Sequence, residues 1–183
     1  MPVNADNLVI LHYPERALRT PAKPIKEITD ETRLIVERMI ELMDEAEGIG
    51  LAAPQVGLSI SLFIVDVPSG EKNSPDSDPP SATSDVMVFI NPKILAFENA
   101  PEPYEEGCLS LPEIRGDVLR PPIVTMQATG LDGKPFTLRA GGLLARCLQH
   151  EFDHLQGILI LDKMTQMSRM KNRTAVRDLE NSK

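Results

Sequence analysis

Residues 141–157, GGLLARCLQHEFDHLQG, are the stretch whose reading decides the fold. Proline is absent from Phe136 to Lys183, so nothing there breaks a helix. Gly141 and Gly142 precede the segment and Gly157 is a natural stop, which predicts a helix running to Gln156. Helical spacing puts Leu143, Cys147, His150 and His154 on one stripe and Leu144, Leu148 and Leu155 on a neighbouring one. A helix that is apolar nearly all round is buried, and two imidazoles and a carboxylate are costly to bury unless something pairs with them. A divalent metal does that. His150 and His154 stack on one helical face, with nitrogens able to converge on a single cation. Glu151 lies about 100° round the helix from His150, where it can reach a water on that cation without being a ligand. That is the position of a general base. The alternative is two core histidines beside a surface glutamate.

Upstream, a second proline-free window runs from Ile25 to Ala53. Thr29 can cap a helix there, with Asp30 and Glu31 in its opening turn, Ile35, Met39, Leu42, Met43 and Ala46 on one stripe, and Gly48 as its stop. Between the helices lie short β-like runs rich in Val and Ile: 62–67, 86–90, 118–119, 123–128 and 136–138, with a hairpin turn at Asp132-Gly133. The class is α+β. No internal repeat or shift of composition marks a boundary, so residues 1–183 are expected to form a single catalytic domain. Residues 68–85, rich in Ser, Pro, Asp and Gly, read as a solvated surface loop insertion that offers nothing to bury, and 163–183 as a C-terminal helical tail.

Two histidines are an incomplete set, because catalytic sites usually take three protein ligands and leave one position for water. His12 is the only other histidine, and Asp162 and Glu180 sit in unremarkable settings. Cys108 is the better candidate, since Gly107 beside it permits close backbone approach and a thiolate binds borderline or soft metals tightly. Cys147 reads as pocket packing or as a small buried apolar side chain. The segment Gly48 to Gly57 formally contains a phosphate-loop pattern, but it follows a helix rather than a strand, and Pro54 blocks the helix start such a loop requires. Gln55 is its one polar side chain. It either caps a turn or aims an amide donor at an oxyanion.

Together, Gly48-Ile49-Gly50-Leu51-Ala52-Ala53-Pro54-Gln55, Glu106-Gly107-Cys108-Leu109-Ser110 and residues 150–157 resemble the three signature motifs of the peptide deformylases. The resemblance implies antiparallel β-sheets packed around a central HExxH helix, with an N-terminal and a C-terminal helix as in the bacterial type. It implies removal of the formyl group from the initiator formyl-methionine of new polypeptides, releasing formate. Metal ligands carry over to Cys108, His150 and His154, and the acid/base role to Glu151. The metal it implies is ferrous iron (Fe2+), with Zn2+, Ni2+ or Co2+ accepted. A metal lowers the pKa of water it holds, so Glu151 can take a proton and the water can attack the formyl carbon. Gln55 and the Leu109 N–H are then expected to hold the oxyanion. Ile49, Leu143 and Cys147 are expected to wall a methionine slot, and Gly50 to pair with an extended peptide. Glu106 and Arg120 match an ion pair behind the site, and Arg115 a residue at its mouth; an ordinary surface salt bridge is the alternative for each. Arg146 stands where some members carry an aliphatic residue.

Two rivals keep the same residues. A zinc endopeptidase predicts a histidine or carboxylate as third ligand, and a non-enzymatic metal-stabilised peptide-binding module predicts a closed coordination shell. Composition excludes other classes. No apolar run approaches the roughly 18 residues that span a bilayer, and 19 Lys plus Arg against 27 Asp plus Glu, a net charge of -8, argues against general nucleic-acid binding. Two cysteines fit a reducing compartment, and the expected location is cytoplasmic. Against the acidic whole, Lys163 to Arg177 carries five basic residues and no acidic one. Docking near the ribosomal exit and an ordinary solvated helix face both account for it.

Overall fold

The computed structural model describes residues 3–181; Met1, Pro2, Ser182 and Lys183, at the ends of the expected domain and tail, lie outside the described residues. Helix α1 spans Asp30–Glu45, and Thr29 and Thr32 cap each other's amides at 3.3 and 3.2 Å. It ends earlier than Gly48. Glu47 takes a left-handed φ of 52°, and the Gly48 N–H returns to the Met43 carbonyl at 2.8 Å. Gly48 instead serves close approach, since a Cβ there would lie 2.7 Å from Leu109 Cδ1.

Five antiparallel strands follow in the spatial order β1-β2-β3-β6-β7: β1 Gly50–Ala52, β2 Leu62–Val65, β3 Met87–Glu98, β6 Ile123–Thr129 and β7 Pro135–Gly141. A second, two-stranded sheet joins β4 (Glu102–Cys108) to β5 (Leu111–Arg120). Strand β3 runs well past Ile90 through Asn91 and Pro92, because the pairing with β6 shifts register between Ile90 and Lys93 and Asn91 adopts a φ of 50°. Most of the β4–β5 hairpin has no strand signature in the sequence. From Ile114 to Arg120 its buried positions alternate with exposed ones, but two of them are Gly116 and Arg120, which hides the period.

Helix α2, Gly142–Leu155, packs on one face of the larger sheet, where Leu144, Leu148 and Leu155 meet Phe63, Phe89, Val124 and Met126. Helix α1 covers the other face with Ile35, Met39 and Met43 against Leu51, Leu62 and Ile64. Alternation along β2 explains the two layers: Phe63 and Val65 point to α2, Leu62 and Ile64 to α1. Gly141 offers α2 no side-chain cap. The segment expected to be a solvated loop fills that need, for the Pro80 and Ser81 carbonyls accept from Gly141 and Leu144 at 2.9 and 3.1 Å, and Ser81 to Thr83 are buried. Its first half is largely exposed.

At the far end of α2, Gly157 adopts a φ of 71°, and a Cβ there would meet the Arg19 carbonyl oxygen at 2.7 Å. The tail is two helices, α3 Ile160–Lys163 and α4 Gln166–Asn181, the latter starting three residues after the former ends. It docks behind β5, where Ser168 Oγ accepts from the Asp117 N–H at 2.9 Å and Asn172 donates to the Arg115 carbonyl at 2.7 Å. No helix among the described residues is long and apolar enough to cross a membrane.

Candidate metal centre and cleft

The i,i+4 spacing on α2 brings His150 and His154 together, with Nε2 atoms 3.3 Å apart. Strand β4 supplies Cys108 at the point where the hairpin register slips between Gly107 and Cys108. Its Sγ lies 3.3 Å from His154 Nε2. The three ligand atoms all fall within 4.8 Å of one another, and among the described residues no other group of this kind forms. His12, Asp162 and Glu180 take no part. Asp162 pairs with Arg19, and Glu180 accepts from the Tyr13 hydroxyl.

The donor set fits a divalent cation. His150 Nδ1 sits 3.2 Å from Glu106 Oε2, which fixes the tautomer and turns the Nε2 lone pair toward Cys108 and His154. The Nδ1 of His154 is buried with no hydrogen-bond partner. Burial presses both imidazoles toward neutrality. For His150 this is outweighed by Cys108 and Glu106, which hold it well above its ordinary value, whereas His154 is pushed well below by burial and by His150.

Glu151 is 3% exposed, and its Oε2 is buried with no hydrogen-bond partner. Burial pushes its pKa up to about 7, Glu106 and Asp153 add to the rise, and His150 and Arg120 oppose it. A carboxyl poised near neutrality can take and return a proton. Its other oxygen lies over β1, where a Cβ on Gly50 would approach Oε1 to 2.5 Å.

Gln55 caps the turn it sits in. Its Oε1 accepts from the Ala52 N–H at 2.8 Å, which orients the amide so that Nε2 faces Ser110 Oγ at 3.2 Å and Cys108 Sγ at 3.6 Å. Leu109 occupies the turn between β4 and β5, with its side chain against Gly48. Ile49, Gly50, Leu143, Cys147, Leu109 and Arg115 all line one cleft of about 640 Å3, along with Cys108, His150 and Glu151. Arg115 is a surface pair, 4.0 Å from Glu105 with both side chains about two-thirds exposed, and contributes little to stability.

Glu106 and Arg120 are not a surface pair. Their side chains are 8% and 3% exposed, and Arg120 bridges Glu106 at 2.7 Å and Asp153 at 2.7 Å. Burial raises the Glu106 pKa, but hydrogen bonds from His150 and Arg120 prevail and hold it at about 2. Two participants escaped the sequence reading, Ser110, which takes Gln55 Nε2, and Asp153, which takes Arg120; Arg146, expected only to alter the pocket, lines the cleft and also donates to Glu106. Asp153 lies between the two histidines in sequence, and its charge in an otherwise buried turn was the available signal.

A family model described as polypeptide deformylase matches residues 8–170. The chain is 45% identical over 169 residues to the peptide deformylase of Acinetobacter baumannii, covering 92% of this chain and 89% of that protein. Among solved structures, it is similar to the peptide deformylase of Synechococcus elongatus in complex with actinonin, with a TM-score of 0.82, 37% identity, and coverage of 98% of this chain and 90% of that one. The peptide deformylase of Ehrlichia chaffeensis matches with a TM-score of 0.85 and 29% identity, over 94% of each chain.

Proposed function

The chain belongs to the polypeptide deformylase family, metal-dependent hydrolases that remove the N-formyl group from nascent polypeptides, and on that premise we propose that Cys108, His150 and His154 hold its metal and Glu151 moves its proton. The observation that supports this most is the convergence of one thiol and two imidazole nitrogens beside the unpartnered, buried Glu151 oxygen. Membership of the family sets aside the endopeptidase and binding-module readings.

A divalent ion in such a site lowers the pKa of water and polarises a carbonyl oxygen. Glu151 removes the proton of the attacking water and later delivers it to the departing amine as the C–N bond of the formyl amide breaks; the water's oxygen leaves in formate. The Gln55 Nε2 and the Leu109 N–H donate to the formyl oxygen as it gains charge, the first already oriented by Ala52. The peptide extends along β1. That strand is an edge of the five-stranded sheet, so it can accept a further strand, while Ile49, Leu143 and Cys147 face the methionine side chain. Residues 1–183 serve as one catalytic domain, in the cytoplasm.

Ferrous iron is the proposed ion, because a Cys/His/His set suits a borderline divalent cation and cellular supply selects among those it accepts. Anaerobically purified protein is expected to carry about one iron per chain and to release formate from formyl-Met-Ala-Ser with the peptide bonds intact. Cys108→Ala is expected to lose both metal and turnover. Peptide-bond cleavage, or full metal retention in Cys108→Ala, overturns the assignment.

We also propose that the basic face of α4 meets an acidic ribosomal surface. Arg169, Arg173 and Arg177 fall on one face and line, with Arg19, a cleft of about 400 Å3. Reversing the three α4 arginines to glutamate is expected to weaken ribosome binding at least tenfold at low salt and leave formate release from a free peptide unchanged. Undiminished binding dismisses this contact.

A further inference from the structure

We infer that Arg146 is a positioning residue for the metal ligands, tying the hairpin that carries Cys108 to the helix that carries His150 and His154; the inference rests on the proposed metal centre. Arg146 leaves α2 between Leu144 and Leu148, and its side chain is 10% exposed. Its Nη1 donates to Glu106 Oε1 at 3.1 Å and to the Val118 carbonyl at 3.0 Å, and its Nη2 donates to the Glu102 carbonyl at 2.7 Å. The guanidinium also sits 5.0 Å from the centroid of the Tyr104 ring. Glu102, Tyr104 and Glu106 are alternate residues of β4, and Val118 lies on its partner β5. One planar fork therefore grips both strands of the hairpin.

The grip falls on the carboxylate that orients His150. Glu106 Oε1 accepts from Arg120 Nε at 2.7 Å and from Arg146; Oε2 accepts from Arg120 Nη2 at 3.0 Å and faces His150 Nδ1 at 3.2 Å. A carboxylate has about four lone-pair sites, and Arg146 supplies the fourth partner. Arg120 is shared between two buried carboxylates, Glu106 and Asp153, at 2.7 Å each, so Arg146 gives Glu106 a second guanidinium. Without it Glu106 keeps Arg120 and His150 but loses one hydrogen bond, and the hairpin carrying Cys108, two residues beyond, loses the ties that run from α2 to the Glu102 and Val118 carbonyls. Outer partners of metal ligands of this kind are typically worth about 10–100-fold in metal affinity or activity.

The test compares Arg146→Met and Arg146→Lys with the parent, each loaded with Zn2+ and challenged with a chelating dye. Methionine fills similar volume without donors, and lysine keeps the charge but cannot span Glu106 and the Glu102 carbonyl together. Release from Arg146→Met is expected to be at least tenfold faster than from the parent, with kcat reduced and KM for formyl-Met-Ala-Ser within about twofold; Arg146→Lys is expected to fall between. Release rates equal to the parent's overturn the inference, whether the metal-free variant unfolds more easily, which marks Arg146 as only structural, or KM rises, which marks it as only a pocket wall. If Arg146→Met does not fold, the rate of Arg146→Lys decides, with faster release expected and parental release contrary. A parent that fails to bind Zn2+ stoichiometrically refutes the metal centre itself, a separate result from parental release in the variants.

Discussion

Glu151→Gln is expected to lower formate release by about 10²–10⁴-fold while leaving the metal content near the parent's. Glutamine keeps the shape and sits on the same turn of α2, so the three ligand atoms are undisturbed. What it loses is the proton acceptor. A second consequence concerns stability in the metal-free protein. The folded chain holds the Glu151 proton up to about pH 7, whereas an exposed glutamate releases it near 4.5. Between those values the folded state binds more protons than the unfolded one, so the parent loses stability as pH rises from 4.5 to 7 and does not regain it above. The loss is about 3 kcal/mol. Glutamine carries no such penalty, so metal-free Glu151→Gln should resist denaturant better than the parent at pH 8 and match it at pH 4. A variant that loses its metal, or an advantage of equal size at both pH values, contradicts the assignment of Glu151 as a buried proton carrier outside the ligand set.

The features legible in the sequence are those written within one turn of helix. The Thr29 cap, the Gly157 stop and the pairing of His150 with His154 depend on residues three or four apart, and the structure has each of them. Cys108 was reachable by elimination, since few soft donors exist in the chain. The network behind the centre was not. Arg146 reaches Val118, Glu106 and Glu102 across 28, 40 and 44 residues, and nothing local distinguishes a buried arginine on an apolar helix from one that reaches solvent. The same distance hid the depth of the Glu106–Arg120 pair, whose burial is created by α2 closing over the hairpin. The strand at residues 91–98 was lost for another reason: a proline in its path reads as a stop, and only the register shift against β6 lets the strand continue.

Gly50→Ala is expected to abolish most activity, about 10²-fold or more, although it adds only one methyl group and removes no functional atom. Gly50 has no positive φ, so the backbone tolerates alanine there and the effect is one of space alone. The new Cβ would lie 2.5 Å from Glu151 Oε1 and 2.8 Å from Cys147 Sγ, closer than real Cβ atoms come to anything. Two relaxations are open. The Glu151 carboxyl can swing aside, which misplaces the proton carrier and lowers kcat, or β1 can retreat from α2, which displaces the edge proposed to pair with the peptide and raises KM. Thiol and carboxylate are separable by a second change. Cys147→Ala removes the Sγ contact and leaves Oε1, so the double variant Gly50→Ala/Cys147→Ala should recover stability without recovering kcat. Recovery of kcat to the level of Cys147→Ala alone shows that the thiol was the obstacle and that β1 does not set the position of Glu151. With kcat still low and KM near the parent's, the measurement places the reacting geometry on the contact between the backbone of β1 and the carboxyl of α2, and gives the absence of a side chain at residue 50 its reason.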